Sequence, residues 1–127
     1  MAHILIVDDD TLVRQLLHMV LGQLGHDVIE AKSGREGLQL YRARPIDMVI
    51  TDIQMPEMDG LEMIQEIRAG APEAIILAMS GGLPSALNVA ETLGVQGTFE
   101  KPFSLILLSH MVQELLQSPC QVENTQQ

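Results

Sequence analysis

The sequence predicts an α/β domain in which a five-stranded parallel sheet is covered by helices on both faces. Three observations carry that prediction. Short apolar runs rich in β-branched residues alternate with longer stretches whose apolar residues recur every three or four positions. Clusters of Gly, Pro and Asp punctuate the junctions. Strand and helix alternate from end to end, so each connection is a crossover that must pack back on the sheet with right-handed sense. The 127 residues suit one domain, long enough to bury roughly two thirds of its unfolded surface.

The elements follow in order. Ile4-Leu5-Ile6-Val7 is a first buried strand that stops at Asp8, Asp9 and Asp10. Leu12, Val13, Leu16, Leu17, Val20, Leu21 and Leu24 lie at helical spacing, with Asp10 or Asp9 placed to cap the first turn and Gly25 to end the last. Asp27 to Ala31 is a weaker strand. Ser33-Gly34 opens a second helix through Leu38, Leu40 and Tyr41, which Pro45 stops. The run through Met48, Val49 and Ile50 is a third strand ending at Asp52, and Met55-Pro56-Glu57-Met58-Asp59-Gly60 breaks it. Leu61, Met63, Ile64 and Ile67 make a third helix ending near Gly70. Ala74 to Met79 is a fourth strand running into Ser80-Gly81-Gly82. A loose helix spans Leu83 to Leu93, a short fifth strand Gly97 to Glu100, and an apolar fifth helix Phe103 to Leu116. The domain is expected to occupy residues 1–117, and the polar stretch 118–127 to be a disordered tail.

Composition excludes several function classes. Seven basic against seventeen acidic residues give a net charge of −10, which repels phosphate backbones and argues against direct nucleic-acid binding. With one Tyr, two Phe and no Trp, stacking on bases is a poor prospect. The single cysteine, Cys120, leaves no internal disulfide and suits a reducing compartment. There is no apolar run long enough for a membrane span and no secretory leader, so the expected location is the cytoplasm, with no membrane partner. His3, His18, His26 and His110 lack metal-ligand spacing and are expected to be surface or helix residues.

Chemistry gathers at the strand ends. Ligands bind just outside the carboxyl ends of the strands in open parallel sheets, so Asp52 is aimed at a site. If the first and third strands are neighbours, about 4.8 Å apart, Asp8 and Asp9 reach the same small volume as Asp52. Three carboxylates there persist as anions only beside a cation, and an all-oxygen set suits Mg²⁺ or Mn²⁺ better than zinc.

These residues are similar to a known pattern. Asp8-Asp9 after the first strand, Asp52 with Met55-Pro56 and Met58-Asp59-Gly60, Ser80-Gly81 after the fourth strand and Lys101-Pro102-Phe103 after the fifth resemble the receiver domain of bacterial two-component response regulators. The resemblance covers residues 3 to about 117. It implies the flavodoxin-like strand order 2-1-3-4-5, which is taken from the family and not deduced from the spacing. It also implies that Asp52 is the nucleophile phosphorylated by a sensor histidine kinase or histidine phosphotransfer protein. A metal would be held by Asp9, Asp52 and the carbonyl of Gln54, with Asp8 acting through water. Lys101 would supply a second positive charge, and Ser80 would bond a phosphoryl oxygen once it arrives. Such a protein is a phosphoacceptor that catalyses its own transfer and dephosphorylation rather than a conventional enzyme.

One departure stands out. The position three before Lys101, commonly Tyr or Phe in that family, is Thr98, and Phe99 should face the other side of the sheet. Two other families share parts of this residue set. A haloacid dehalogenase-type phosphohydrolase also uses Asp, Mg²⁺ and Lys, and Asp8-Asp9-Asp10 offers its Asp-x-Asp. However, Leu12 stands where that family has Thr or Val, and Asp52 lies alone downstream. A pseudo-receiver acting only as an interaction module is disfavoured because Asp8, Asp9, Asp52, Ser80 and Lys101 are all present. On the fifth helix Leu105, Leu108, Met111, Val112 and Leu115 form the expected inner stripe. Ile106 and Leu107 lie off it, Ile106 about 160° from Leu108, and are expected to mark contact with an effector protein or a second copy.

Overall fold

The computed structural model describes residues 2–53, 60–81, 84–101 and 104–125, with the backbone alone for 84–87 and 118–125. The elements are β1 His3–Val7, α1 Thr11–Gln23, β2 Asp27–Ala31, α2 Gly34–Ala43, β3 Met48–Asp52, α3 Gly60–Gly70, β4 Ile75–Ser80, α4 Pro84–Thr92, β5 Gly97–Glu100 and α5 Leu105–Thr125. The sheet is wholly parallel, in the order β2-β1-β3-β4-β5. The span of α5 includes residues 118–125, which composition assigns to the tail.

Strand alternation divides the core in two. Leu5, Val7 and Val49 face one layer with Leu38 of α2, Met63, Ile64 and Ile67 of α3 and Ala90 of α4. Ile4, Ile6, Met48 and Ile50 face the other, with Leu17 and Leu21 of α1 and Leu108 and Val112 of α5. β1 and β3 are central and covered on both sides, which is why their sequences are apolar runs rather than alternating patterns. Each fully buried Ile or Leu contributes roughly 1.5–3 kcal/mol. Helix starts are capped as the residue types suggest: the Asp10 side chain accepts from the Leu12 N–H, and Ser33 from that of Glu36. Gly25, at φ 94°, lets the chain turn sharply after α1.

Two apolar stripes are wider than the sheet can cover. On α1, Leu17 and Leu21 are buried, whereas Leu12, Leu16 and Met19 stay exposed. On α5 the inner stripe packs as expected, and Ile106 and Leu107 are 69% and 62% exposed. His26 is not a plain surface residue. It is half-buried, its Nδ1 accepts from the Ala2 N–H, and burial pushes its pKa down. At the other edge the Arg68 guanidinium donates to the carbonyls of Leu93, Gly94, Pro72 and Ala74, tying the loop before β4 to the end of α4.

The start of α3 presses against the end of β3. A Cβ on Gly60 would lie 2.6 Å from Ile53 Cα and closer still to the Asp52 carbonyl oxygen, so only glycine lets α3 begin there. At Gly70, on the far end of the same helix, an added Cβ meets nothing within 4 Å. Gly60→Ala is expected to destabilise the fold by about 1–3 kcal/mol through overpacking, whereas Gly70→Ala should be neutral or slightly stabilising. Urea unfolding of both variants checks this, and equal midpoints would show that the backbone yields easily at Gly60.

Candidate functional site

The site is built from the carboxyl ends of β1, β3, β4 and β5. β1 ends at Val7, and the Asp8 N–H donates to the Ala31 carbonyl at 3.1 Å, which extends the pairing with β2 by one residue. Asp8 is fully buried, and its Oδ1 accepts from the Asp10 N–H at 2.8 Å, folding the acidic turn back on itself. Val7 pairs with Thr51 across to β3, so Asp8 and Asp52 follow at adjacent positions on neighbouring strands. Asp52 is 6% exposed, and the buried Thr51 hydroxyl donates to its carbonyl oxygen at 2.8 Å. Asp9 is exposed, yet one oxygen from each of Asp8, Asp9 and Asp52 lies within 4.8 Å of the others.

β4 and β5 bring the cation. The Lys101 N–H donates to the Ser80 carbonyl at 2.8 Å, so the lysine leaves β5 beside the end of β4. Its Nζ donates to Asp8 Oδ2 at 2.8 Å and to Asp52 Oδ2 at 3.1 Å, with the side chain 21% exposed. Lys101 thus contacts both buried carboxylates directly. Burial alone would push the ammonium pKa down, but the hydrogen bonds and charges of Asp8 and Asp52 outweigh it and hold the pKa above its ordinary value. For Asp8 burial dominates and raises the pKa, against the lowering effect of Lys101 and the Asp10 N–H. Ser80 is 2% exposed at the end of β4. Thr98 is half-buried, while Phe99 packs into the layer shared by α1 and α5, on the side that alternation assigns to it.

The donor set fits a hard divalent cation. Three convergent carboxylates, one of them exposed, offer only oxygen, and the Lys101 ammonium contacts two of them, Asp8 and Asp52. Of the residues singled out from sequence, Asp8, Asp9, Asp52, Ser80 and Lys101 come together at these strand ends, whereas Gln54 lies outside the described residues, as do Met55-Pro56, Met58-Asp59, Gly82 and Pro102-Phe103. Two supporting residues escaped the sequence analysis. Thr51 is one. The other is Arg14 of α1, whose Nη1 donates to the Asp8 carbonyl at 2.7 Å and whose Nε donates to Glu30 at 3.1 Å. No short motif signals either, because a strand threonine and a helix arginine are ordinary in isolation.

Comparison with known proteins agrees with this geometry. Residues 4–113 match the family model of the response regulator receiver domain. The chain is 37% identical over 119 residues to the transcriptional regulatory protein GlrR of Escherichia coli K12, covering 91% of this chain and 26% of that protein. It is 34% identical over 110 residues to the autoinducer 1 sensor kinase/phosphatase LuxN of Vibrio campbellii, covering 86% of this chain and 13% of LuxN. The chain therefore spans about a quarter or less of these relatives. Among solved structures, the response regulator protein TrrA of Thermotoga maritima, in complex with Mg(2+)-BeF, superposes with a TM-score of 0.83 at 30% identity, covering 91% of this chain and 99% of TrrA. Nothing here supports a haloacid dehalogenase-type phosphohydrolase. The family match, together with the order of the five strands and the acids at their ends, shows that this chain belongs to the response regulator receiver domain family.

Proposed function

We propose that Asp52 accepts a phosphoryl group from a phosphohistidine on a sensor histidine kinase or histidine phosphotransfer protein, in a reaction assisted by Mg²⁺ or Mn²⁺. The observation that carries this is the contact of Lys101 with Asp8 and Asp52 beside the three convergent carboxylates. A carboxylate oxygen of Asp52 attacks phosphorus, the new O–P bond forms as the N–P bond breaks, and the imidazole nitrogen keeps the electron pair. The nucleophile and the incoming phosphoryl group are both anionic, so the step depends on cancelled charge. Lys101 supplies one cation, giving up its contact with Asp52 to reach a phosphoryl oxygen. Asp8, Asp9 and Asp52, with the Gln54 carbonyl, would hold the divalent ion, which supplies the rest of the neutralisation when bound. The Mg(2+)-BeF complex of TrrA supports that assignment by similarity.

Ser80 accepts the role of switch, because a hydroxyl at the end of β4 gains a phosphoryl partner only after transfer. With Thr98 in place of an aromatic residue, either the signal passes through the backbone beyond Ser80 rather than through a swinging ring, or the domain hands its phosphoryl group on without a large conformational output. Attack of water on the acyl phosphate returns the domain to its resting state without a separate phosphatase. The acting unit is residues 1–117, located in the cytoplasm; among the described residues no helix is long and apolar enough to cross a membrane. Output runs through protein contact at Ile106 and Leu107, with an effector or a second copy as occupant, since both side chains are well exposed on α5.

Mass spectrometry after incubation with Mg²⁺ and a small acyl phosphate tests the chemistry. The protein should gain one phosphoryl group, Asp52→Asn should gain none, and Ser80→Ala should be phosphorylated but unresponsive in partner binding. A wild-type protein that stays unmodified, or an Asp52→Asn variant modified equally, would contradict the assignment, and rapid turnover of phosphomonoesters would revive the hydrolase.

The contact surface has its own test. Ile106→Glu combined with Leu107→Gln should leave phosphorylation of Asp52 unchanged while weakening self-association in light scattering or capture of the partner. Association equal to wild type in both phosphorylation states would remove α5 from the output surface.

A further inference from the structure

Arg14 sits at a junction that the proposed chemistry does not explain. It belongs to α1, and its side chain is 13% exposed. Its Nη1 donates to the Asp8 carbonyl at 2.7 Å, its Nη2 to the Thr11 hydroxyl at 3.3 Å and its Nε to Glu30 Oε1 at 3.1 Å. Glu30 lies on β2, directly across from Ile6 of β1, and its other oxygen is held by His18 Nδ1 at 2.6 Å. The guanidinium is therefore anchored from α1 and β2 at once.

The carbonyl that Arg14 holds is that of the peptide joining Asp8 to Asp9. A peptide unit is planar, so holding its carbonyl direction constrains how the two flanking Cα atoms are turned, and with them the directions in which the Asp8 and Asp9 side chains leave the backbone. On the other side, the Asp8 N–H is tied to the Ala31 carbonyl. Resting on the acceptor-site reading above, we propose that Arg14 is a positioning residue that sets the Asp8-Asp9 peptide so that both carboxylates converge with Asp52 for the divalent cation. Arginine suits the task because its planar fork presents two separate nitrogens in fixed directions, Nη1 to the carbonyl and Nε to Glu30. Glu30 in turn offsets a positive charge that would otherwise stand unbalanced behind a cation site.

The sign of the effect separates positioning from charge. Removing a cation near a metal site should tighten binding on Coulombic grounds, whereas loss of a positioning contact should weaken it, typically by about 10-fold or more for an outer support of a metal ligand. Isothermal calorimetry of Mg²⁺ binding to the whole unphosphorylated chain, well below the melting temperature, should give a Kd about 10-fold higher for Arg14→Ala. Arg14→Lys keeps the charge and loses the fork, so its Kd should also rise, and it decides the matter should Arg14→Ala fail to fold. Arg42→Ala removes an equal charge from the exposed pair with Glu66 and should leave the Kd unchanged. Folded Arg14 variants that bind Mg²⁺ as tightly as wild type, or more tightly, would overturn the role of Arg14 and leave the acceptor site standing. A wild-type chain that binds no Mg²⁺ would overturn both.

Discussion

The structure depends on one arrangement of charge: the Lys101 ammonium lodged between two buried carboxylates, Asp8 and Asp52, at the ends of adjacent strands. Burying either acid alone would be costly, and a buried ion pair seldom returns more than its own desolvation. Its value here is positional. Burial pushes the Asp8 carboxyl up against the lowering effect of Lys101, and Asp8, Asp9 and Asp52 still converge within 4.8 Å of one another. A divalent cation can relieve the repulsion among those carboxylates.

Such a site survives because the apolar sheet beneath it supplies the stability. β1 and β3 carry fully buried Ile4, Leu5, Ile6, Met48, Val49 and Ile50, sandwiched between α1 and α5 on one side and α2, α3 and α4 on the other. The strand ends are then aimed by contacts that do not touch the chemistry. Thr51 and the close approach of Gly60 define where the Asp52 backbone stands, and Arg14 with Glu30 defines the turn that carries Asp8 and Asp9. Fold and site are linked through the backbone carbonyls of Asp8 and Asp52 as well as through the Lys101 contacts.

Much of this was legible in the sequence because it is local. Strand Asp27–Ala31 and strand Gly97–Glu100 lie where the apolar runs put them, and the capping role of Asp10 and Ser33 follows from residue type. The acids at strand ends pointed to a shared site once the strand order was supplied by family resemblance, since spacing alone does not order a parallel sheet. What stayed hidden is long-range. The pairing of Arg14 with Glu30 joins a helix to a neighbouring strand, and nothing in either segment announces it. Gly60 reads as a turn residue, although what requires it is a carbonyl eight residues earlier. Periodicity placed Leu12 and Leu16 on the apolar stripe of α1 but does not say how much of that stripe the sheet can cover, and both remain exposed.

The central claim is that Asp8, Asp9 and Asp52 form a preassembled acidic site whose repulsion a divalent cation relieves. Thermal melting with and without saturating Mg²⁺, on wild type and Asp9→Asn, tests it most directly, because Asp9 is the exposed member whose loss disturbs the core least. The account predicts a rise in wild-type Tm with Mg²⁺ and, for Asp9→Asn, a higher metal-free Tm with a blunted rise. A wild-type Tm that does not move with saturating Mg²⁺ would contradict it.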